Sequence, residues 1–242
     1  MKKNEKITIL CYGDSNTWGC IGKWEENTEL SKRYGMDVRW PSVLQKNLGE
    51  KYHVIEEGLG GRTSIYEPPT EAWKNGETYL VPCLHSHYPL DLVVFMLGTN
   101  DLQIKKDITA EELPKGISRL IDIVRQYSEL GRDGISPEIL IIAPPEIRPS
   151  APEGRTAVYA KFRCEIGREL SLLFPKIYAQ VAKEKGCYFL DSQKYVQPCP
   201  ADGVHFEEES HMRLGRAVAQ LIENEIFPNN KRPEAFIGLE MV

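Results

Sequence analysis

Residues 7–17 have the sequence ITILCYGDSNT, an apolar run that ends in glycine and small polar residues. This pattern is typical of a buried β-strand, here 7–12, that ends in a turn before a helix. Four further runs of strand length follow along the chain, at 53–56, 92–97, 139–143 and 187–190. The runs at 92–97 and 139–143 are unbroken, which predicts central strands covered on both faces.

Helical patterns lie between these runs, so the strands are predicted to be parallel and joined by crossover helices. Pro41 fits the first position of a helix that ends before Gly49. Thr109 and Glu112 have the spacing of a capping box at the start of another helix. The remaining helical patterns span 159–185 and 210–226, and irregular insertions are expected at 20–38, 65–89 and 144–156. One doubly wound α/β domain over 1–242 is therefore predicted, with its core at about 6–226 and a tail at 227–242.

Composition excludes several classes of protein. The chain has 242 residues, with 30 Lys and Arg against 35 Asp and Glu, giving a net charge of −5. Since no stretch concentrates positive charge, nucleic acid is not an expected partner. The apolar runs are far shorter than the ~20 residues of a membrane span. The basic residues Lys2 and Lys3 precede an apolar stretch too brief for a secretory signal, so a cytoplasmic protein is expected.

The six cysteines are widely spaced, without a Cys-x-x-Cys pair, which favours free thiols over disulfides or a zinc site. The five histidines also lack the spacing of metal ligands. His85 and His87 are interpreted as loop or edge residues, and His211 as a solvated residue of the last helix. No metal and no cofactor are predicted.

Polar loops follow the predicted strands. They are 13–17 (GDSNT), 58–63 (GLGGRT), 98–101 (GTND) and, before the last helix, 202–205 (DGVH). The carboxyl ends of parallel strands meet at one edge of an open sheet, where such folds bind their ligands. We therefore expect these four loops to form a single site.

These loops contain the parts that acyl transfer requires. A hydroxyl nucleophile needs a base within hydrogen-bond reach, and the base needs an anionic partner, roles that fit Ser15, His205 and Asp202. The oxyanion needs donors, which the Ser15 backbone, a glycine of the second loop and the Asn100 amide could supply. Asp14 and Asp101 are interpreted as braces for the loops. Arg62 is left open between a substrate contact and a structural ion pair.

The four blocks, in this order and spacing, resemble those of the SGNH (GDSL-type) hydrolases, and the stretches 12–19, 38–40, 56–59 and 96–101 resemble the arylesterase/acyltransferase branch. The resemblance implies a flavodoxin-like three-layer α/β/α sandwich with a five-stranded parallel sheet. It also implies a metal-free reaction with Ser15 as nucleophile, His205 as base and Asp202 as its orienting partner. Ser15, Gly61 and Asn100 are the implied oxyanion donors. Gly61 is favoured over Gly60 because it directly precedes Arg62-Thr63, and Asn16 stands where many members have Leu.

The predicted function is hydrolysis of small carboxylic esters, with acetyl or aryl/alkyl groups, through an acyl-enzyme. Transfer of a short acyl group to an alcohol or peroxide is the first alternative. A nucleotide-binding protein is a distant one, suggested by the glycines at 58–61, although the proline pair at 68–69 interrupts any helix there. The expected partner is a small ester, and the resemblance allows a homo-oligomer. The physiological substrate and the balance between hydrolysis and transfer stay open.

Overall fold

The computed structural model describes residues 5–22, 32–154 and 156–232. Its centre is one sheet of five strands in the order β2-β1-β3-β4-β5, in which every neighbouring pair is parallel. The strands are β1 (Ile7–Gly13), β2 (Tyr52–Gly58), β3 (Leu92–Met96), β4 (Glu138–Ala143) and β5 (Tyr188–Asp191). The predicted fold is confirmed, and every strand lies within two residues of its predicted bounds.

The register of the sheet sets the position of the loops. Gly13, at the end of β1, pairs with Gly58 of β2 on one side and with Met96 of β3 on the other. Three chain segments therefore leave the sheet at adjacent points. All five residues of β3 are buried, which agrees with its predicted central place.

Helices cover both faces of the sheet. They are α1 (Ser15–Trp18), α2 (Trp40–Leu48), α3 (Gly76–His87), α4 (Asp101–Ile104), α5 (Leu113–Gln126), α6 (Thr156–Lys161), α7 (Glu165–Ser171), α8 (Phe174–Glu184) and α9 (Glu208–Leu221), which continues as a π-helix at Ile222–Ile226. Helices α3, α5 and α8 share one apolar cluster with the sheet, and α2 and α9 share the other. Burial of these two faces is the main stabilising contribution of the layered architecture.

Two helix predictions need correction. The helix expected to follow Thr109 begins only at Leu113, because Pro114 lacks the N–H that an interior helical position requires and fits the first turn instead. The long pattern at 159–185 is three helices, α6 to α8. Arg163 and Cys164 have φ values of 69° and 53°, which interrupt the helix, and α8 then starts with a proline in its first turn.

The insertion expected at 65–89 was predicted to be irregular, but it contains α3, a helix of 12 residues. His85 and His87 lie in its last turn, so their interpretation as loop or edge residues is wrong. The sequence of α3 lacks a clear helical period, because Pro82 lies inside the helix and the apolar residues of α3 are not confined to one face. Asn75 caps the start, accepting a hydrogen bond from the backbone of Glu77 at 2.9 Å.

The six cysteines are all free thiols, of which Cys164 is exposed. In the part of the chain that the structure describes, no helix has the length and apolar character needed to cross a membrane. The predicted tail at 227–242 is described up to residue 232, and the remainder lies outside the described residues.

Candidate active site

Ser15 is the first residue of α1, a helix of one turn directly after β1. Asp14 caps it by accepting a hydrogen bond from the Asn16 backbone at 3.0 Å. A Cβ atom at Gly13 would lie 2.0 Å from Oγ1 of Thr17 and 3.1 Å from the carbonyl oxygen of Met96. Only glycine fits this turn, which presents Ser15 at the carboxyl edge of the sheet.

The structure brings His205 and Asp202 to Ser15. Nε2 of His205 lies 3.0 Å from Oγ of Ser15, and Nδ1 lies 2.6 Å from Oδ2 of Asp202. The other carboxylate oxygen of Asp202 accepts hydrogen bonds from the backbone N–H groups of Val204 and His205 at 2.9 and 3.0 Å. Serine, imidazole and carboxylate thus form one hydrogen-bonded chain, in which a proton on Nδ1 leaves Nε2 free to accept the hydroxyl proton.

The electrostatics of the pair favour an imidazole that takes up a proton. Burial opposes charge on His205, but the contacts of its ring with Asp202 and Cys20 together outweigh that effect, so the pKa of His205 lies above its ordinary value. Burial likewise opposes charge on Asp202, but the hydrogen bonds and charge of His205 and the backbone N–H of Val204 together hold the pKa of its carboxyl below the usual range. Asp202 is fully buried, while the His205 side chain keeps 15% of its surface exposed.

One contact of the imidazole could not be foreseen from the motifs. Cys20 is buried near the His205 ring, and its thiol contributes to the raised pKa of His205. Two residues further on, Gly22 lies so close to Asp202 that an added Cβ atom would be 2.9 Å from the carboxylate. The segment after α1 therefore shields the carboxylate from water, a consequence of tertiary packing that carries no sequence motif.

The second loop turns sharply at the predicted glycines. The N–H of Arg62 donates to the carbonyl of Leu59 at 3.0 Å, and Gly61 has a φ of 79°, as in a type II turn. The Gly61 N–H has no hydrogen-bond acceptor among the described residues, so it is free to meet a ligand. Gly60 has neither a positive φ nor a neighbour near its Cβ position. This geometry distinguishes the two glycines that the sequence left ambiguous.

Asn100, in the third loop, lies between the loops that follow β1 and β2. Its side-chain amide donates to the Arg62 carbonyl at 3.1 Å and lies 3.4 Å from a carboxylate oxygen of Asp14. The second contact is long enough for a ligand oxygen to replace it. The N–H of Ser15, as the first of a helix, has no acceptor within that helix. The backbone N–H groups of Ser15 and Gly61 and the side-chain amide of Asn100 therefore lie in the three loops at the carboxyl edge of the sheet.

The two remaining aspartates of the motifs are buried and brace the loops, as predicted. Asp101 accepts from the backbone N–H of Ser64 at 2.7 Å and also contacts its hydroxyl. Burial raises the pKa of Asp101 to about 7 and that of Asp14 to about 6. Neither carboxylate contacts the His205 ring, so neither takes the place of Asp202.

Arg62 is a structural residue, which resolves the alternative left open for it. Its guanidinium donates to the carbonyl oxygens of Gly13, at 2.9 Å, and Glu57. It also lies over the ring of Tyr12, 4.1 Å from the centroid. These partners are backbone carbonyls and an aromatic face, and among the described residues Arg62 forms no ion pair with a carboxylate.

His211 differs from its predicted solvated position, because it is completely buried. Its ring packs edge-on against Tyr34 and Phe206, and Nδ1 lies 3.4 Å from the backbone N–H of Trp40. Burial lowers the pKa of His211 to about 3, so the imidazole is neutral in the folded protein. It is a core residue of α9.

Among the described residues, Glu57, Cys83 and His87 bring three types of metal ligand within 4.8 Å of one another. His87 and Glu57 are already joined by a 2.8 Å hydrogen bond. Burial raises the pKa of the Cys83 thiol to about 12, which opposes the thiolate that a metal would need. The hydrogen bond and a neutral thiol account for this cluster, and none of its members belongs to the Ser15 site.

The glycine-rich second loop does not form a dinucleotide cradle. It leads through irregular chain to a short 3-10 turn at Ala72–Lys74 and then to α3. A pyrophosphate at these glycines would find no helix N-terminus directly after them, as the dinucleotide motif requires. The nucleotide-binding alternative has no support in this geometry.

Comparisons with known proteins agree with the geometry. Residues 11–213 match the model of the GDSL-like lipase/acylhydrolase family. The fold superposes on the native aryl esterase of M. smegmatis and on a carbohydrate acetylesterase from Sinorhizobium meliloti, each with a TM-score of 0.81, 34% identity and coverage of 90% of this chain and 99% of the other. A putative arylesterase from Agrobacterium tumefaciens str. C58 gives a TM-score of 0.76 at 33% identity, with the same coverage. A search of curated proteins found no match.

Proposed function

Because the chain belongs to the GDSL-like lipase/acylhydrolase family, we propose that Ser15, His205 and Asp202 are its catalytic triad. The chain is a carboxylic ester hydrolase, in agreement with its family and with the esterases that share its fold. One observation carries the assignment of the triad: an unbroken path of hydrogen bonds, 3.0 and 2.6 Å long, from the Ser15 hydroxyl through His205 to Asp202.

In the first half of the proposed reaction, Oγ of Ser15 attacks the ester carbonyl carbon while Nε2 of His205 takes the hydroxyl proton. The imidazolium that forms is stabilised by Asp202, whose carboxylate already accepts the Nδ1 proton. The raised pKa of His205 favours this proton transfer from the weakly acidic hydroxyl.

The tetrahedral intermediate places negative charge on the former carbonyl oxygen. The N–H groups of Ser15 and Gly61 and the amide of Asn100 are proposed to donate to it. Each such donor typically lowers the barrier by about 3 kcal/mol, because its dipole is already oriented when the charge develops. The Gly61 N–H needs no rearrangement for this role, since it has no partner among the described residues.

The second half returns the enzyme to its starting state. His205 gives its proton to the departing alcohol, and the acyl group stays on Oγ of Ser15. Water then enters, loses a proton to His205 and attacks the acyl carbonyl, which releases the acid and restores the hydroxyl. Every proton is carried by one imidazole, so the scheme needs no further ionisable group.

We propose esters of small acyl groups as substrates. One related structure is named an aryl esterase, which describes the alcohol side of the ester, and another a carbohydrate acetylesterase, which names a small acyl group. The Lys74 side chain lies next to Gly61, 3.1 Å from a Cβ atom added there, and pairs with Glu71 at 2.6 Å. Charged side chains such as Lys74 and Glu71 are poor packing partners for a long apolar acyl chain.

Replacement of Ser15 by Ala tests the triad. Turnover of p-nitrophenyl acetate should fall by at least about 10⁴-fold, with an unchanged circular dichroism spectrum. Ser86→Ala is the matched control, because Ser86 is an exposed serine whose hydroxyl bonds only within α3. Ser15→Ala enzyme with wild-type turnover would refute the triad.

Two further assays define the substrate. A series of chromogenic esters from acetyl to octanoyl should show kcat/KM declining as the chain lengthens. Product analysis in water containing a dilute alcohol separates the two acyl acceptors: hydrolysis gives free acid, whereas a new ester in comparable amount would assign transferase activity to the same site.

A further inference from the structure

Asn16 follows Ser15 in α1 and is buried, with 3% of its surface exposed. Its side chain forms two hydrogen bonds with the backbone of the loop that carries His205. Nδ2 donates to the carbonyl oxygen of Val204 at 3.2 Å, and Oδ1 accepts from the N–H of Phe206 at 3.1 Å. The two backbone partners are the residues on either side of His205.

The chemistry of these partners fixes the orientation of the amide. A carbonyl oxygen requires a donor and an N–H requires an acceptor, and the carboxamide is a neutral group that offers both from one plane. Leucine, of similar size, offers neither, and aspartate offers only acceptors. The two backbone groups are buried contacts with α1, so leaving them unpaired costs free energy.

The loop of His205 is thereby held from two directions. Within the loop, Asp202 accepts from the N–H groups of Val204 and His205. From outside, Asn16 holds the carbonyl of Val204 and the N–H of Phe206. In the described part of the chain, the other hydrogen bond that joins α1 to residues 202–206 is the bond between Ser15 and His205 itself.

We propose that Asn16 is a positioning residue that sets the distance between Oγ of Ser15 and Nε2 of His205. This inference rests on the proposed function, since Asn16 can position the catalytic groups only if Ser15 and His205 are catalytic. Asn16 is covalently next to the nucleophile, and its amide grips the backbone on both sides of the base. Movement of the His205 loop away from α1 is therefore resisted by the residue adjacent to Ser15.

The inference separates two properties of His205. The largest contribution that raises its pKa is the hydrogen bond to Asp202, which lies in its own loop and does not depend on Asn16, and the Cys20 thiol adds a smaller contribution. Its distance from Ser15 depends on the contact between the loop and α1. Loss of Asn16 should therefore slow proton transfer without shifting the pH at which the imidazole loses its proton.

The test is Asn16→Leu, which keeps the volume and removes both hydrogen bonds. We expect kcat to fall by about 10- to 100-fold, the scale of an ~1 Å misplacement of a catalytic group. KM should change less than kcat, and the acidic limb of the kcat/KM profile should stay where it is in the wild type. Asn16→Asp, which keeps the acceptor for Phe206 but cannot donate to Val204, should also lose kcat.

Asp91→Ala is the control for lost stability. Asp91 is buried just before β3, at the opposite edge of the sheet, and accepts from the backbone of Thr8 at 2.7 Å and from Arg132. Asp91→Ala should lower the melting temperature but leave kcat unchanged at temperatures where the protein is folded. If Asn16 had a purely structural role, Asn16→Leu would likewise lower the melting temperature and keep kcat.

Parallel measurement of Ser15→Ala separates the two hypotheses. If that variant keeps its activity, the proposed function fails and Asn16 has no role in positioning. If Ser15→Ala is inactive while folded Asn16→Leu keeps kcat within about twofold of the wild type, the positioning role alone is refuted. A shift of the acidic limb in Asn16→Leu would also contradict it, since Asn16 would then act through the pKa of His205.

Discussion

The side-chain amide of Asn100 donates to the carbonyl oxygen of Arg62, so the loop after β3 holds the loop after β2 directly beside Gly61. The neighbouring Asp101 reinforces this link through its bonds to Ser64. Helix α5 approaches closely at the same place, because an added Cβ atom at Gly116 would lie 1.9 Å from the Ser64 hydroxyl. Two of the proposed oxyanion donors are thus fixed relative to each other by the fold.

Replacement of Asn100 by Ala should remove one donor and loosen the second loop. We expect kcat for p-nitrophenyl acetate to fall by about 10²- to 10³-fold, with a smaller change in KM, because an oxyanion exists only in the transition state and intermediate. Steady-state kinetics at temperatures below the unfolding transition provide the measurement. An unchanged kcat would exclude the Asn100 amide as a donor.

The two glycines of the second loop should respond differently to alanine. Gly61 has a φ of 79°, so Gly61→Ala places a side chain in the left-handed region at a cost of about 1 kcal/mol and disturbs the N–H proposed to bind the oxyanion. Both stability and kcat should fall. Gly60→Ala is the matched control, since its Cβ would have no neighbour within 4 Å. Equal losses in the two variants, measured by urea unfolding and kinetics, would refute the choice of Gly61.

The pH dependence of activity should change when Asp202 becomes Asn. His205 must be neutral to act as the base, so wild-type activity rises as pH increases through its raised pKa. Without the carboxylate, the largest contribution that raises that pKa is lost, so burial shifts it downward from its wild-type value. The acidic limb of kcat/KM should therefore move to lower pH while the plateau falls by about 10⁴-fold. A limb that stays in place would show that Asp202 does not set the pKa of His205.

His211 should make stability depend on pH. Burial lowers its pKa to about 3, whereas the unfolded chain takes up the proton near pH 6.5. Between these values the unfolded state binds more protons, so this contribution to stability falls as pH decreases. The difference in unfolding free energy between the wild type and His211→Gln should shift by about 2 kcal/mol against the wild type between pH 7.5 and pH 5.

Urea unfolding at the two pH values measures this shift. His53→Gln, at an exposed histidine, is the matched control for loss of one imidazole. A constant difference between the wild type and His211→Gln across this pH range would mean that the His211 imidazole becomes charged in the folded protein.

Much of the fold could be predicted because parallel strands covered on both faces leave unbroken apolar runs, as at Leu92–Met96. Helix α3 escaped prediction because an internal proline and apolar residues on several sides obscure its period. The break between α6 and α7 depends on the positive φ values of Arg163 and Cys164. Neither arginine nor cysteine favours a positive φ, so the sequence does not predict this break. Local backbone geometry, set by packing, decided these cases.

That Ser15, Asp202 and His205 lie close together could be predicted, because all three follow strands at the carboxyl edge of one sheet. The contacts of Cys20 and Asn16 could not be predicted, because they depend on how the segment after β1 packs against the loop of His205, almost 190 residues away. His211 was placed on the wrong side of α9 for a similar reason: the helix period alone does not show that Tyr34 and Phe206 enclose its ring.

The most direct test of the central claim is to identify the residue that becomes acylated or phosphonylated. An aryl phosphonate ester should react once per chain, and peptide mass spectrometry should place the adduct on Oγ of Ser15, with loss of esterase activity in proportion. His205→Ala should react far more slowly, because the serine then lacks its base. An adduct on another residue that accompanies the loss of activity, or rapid labelling of Ser15 without His205, would contradict the triad.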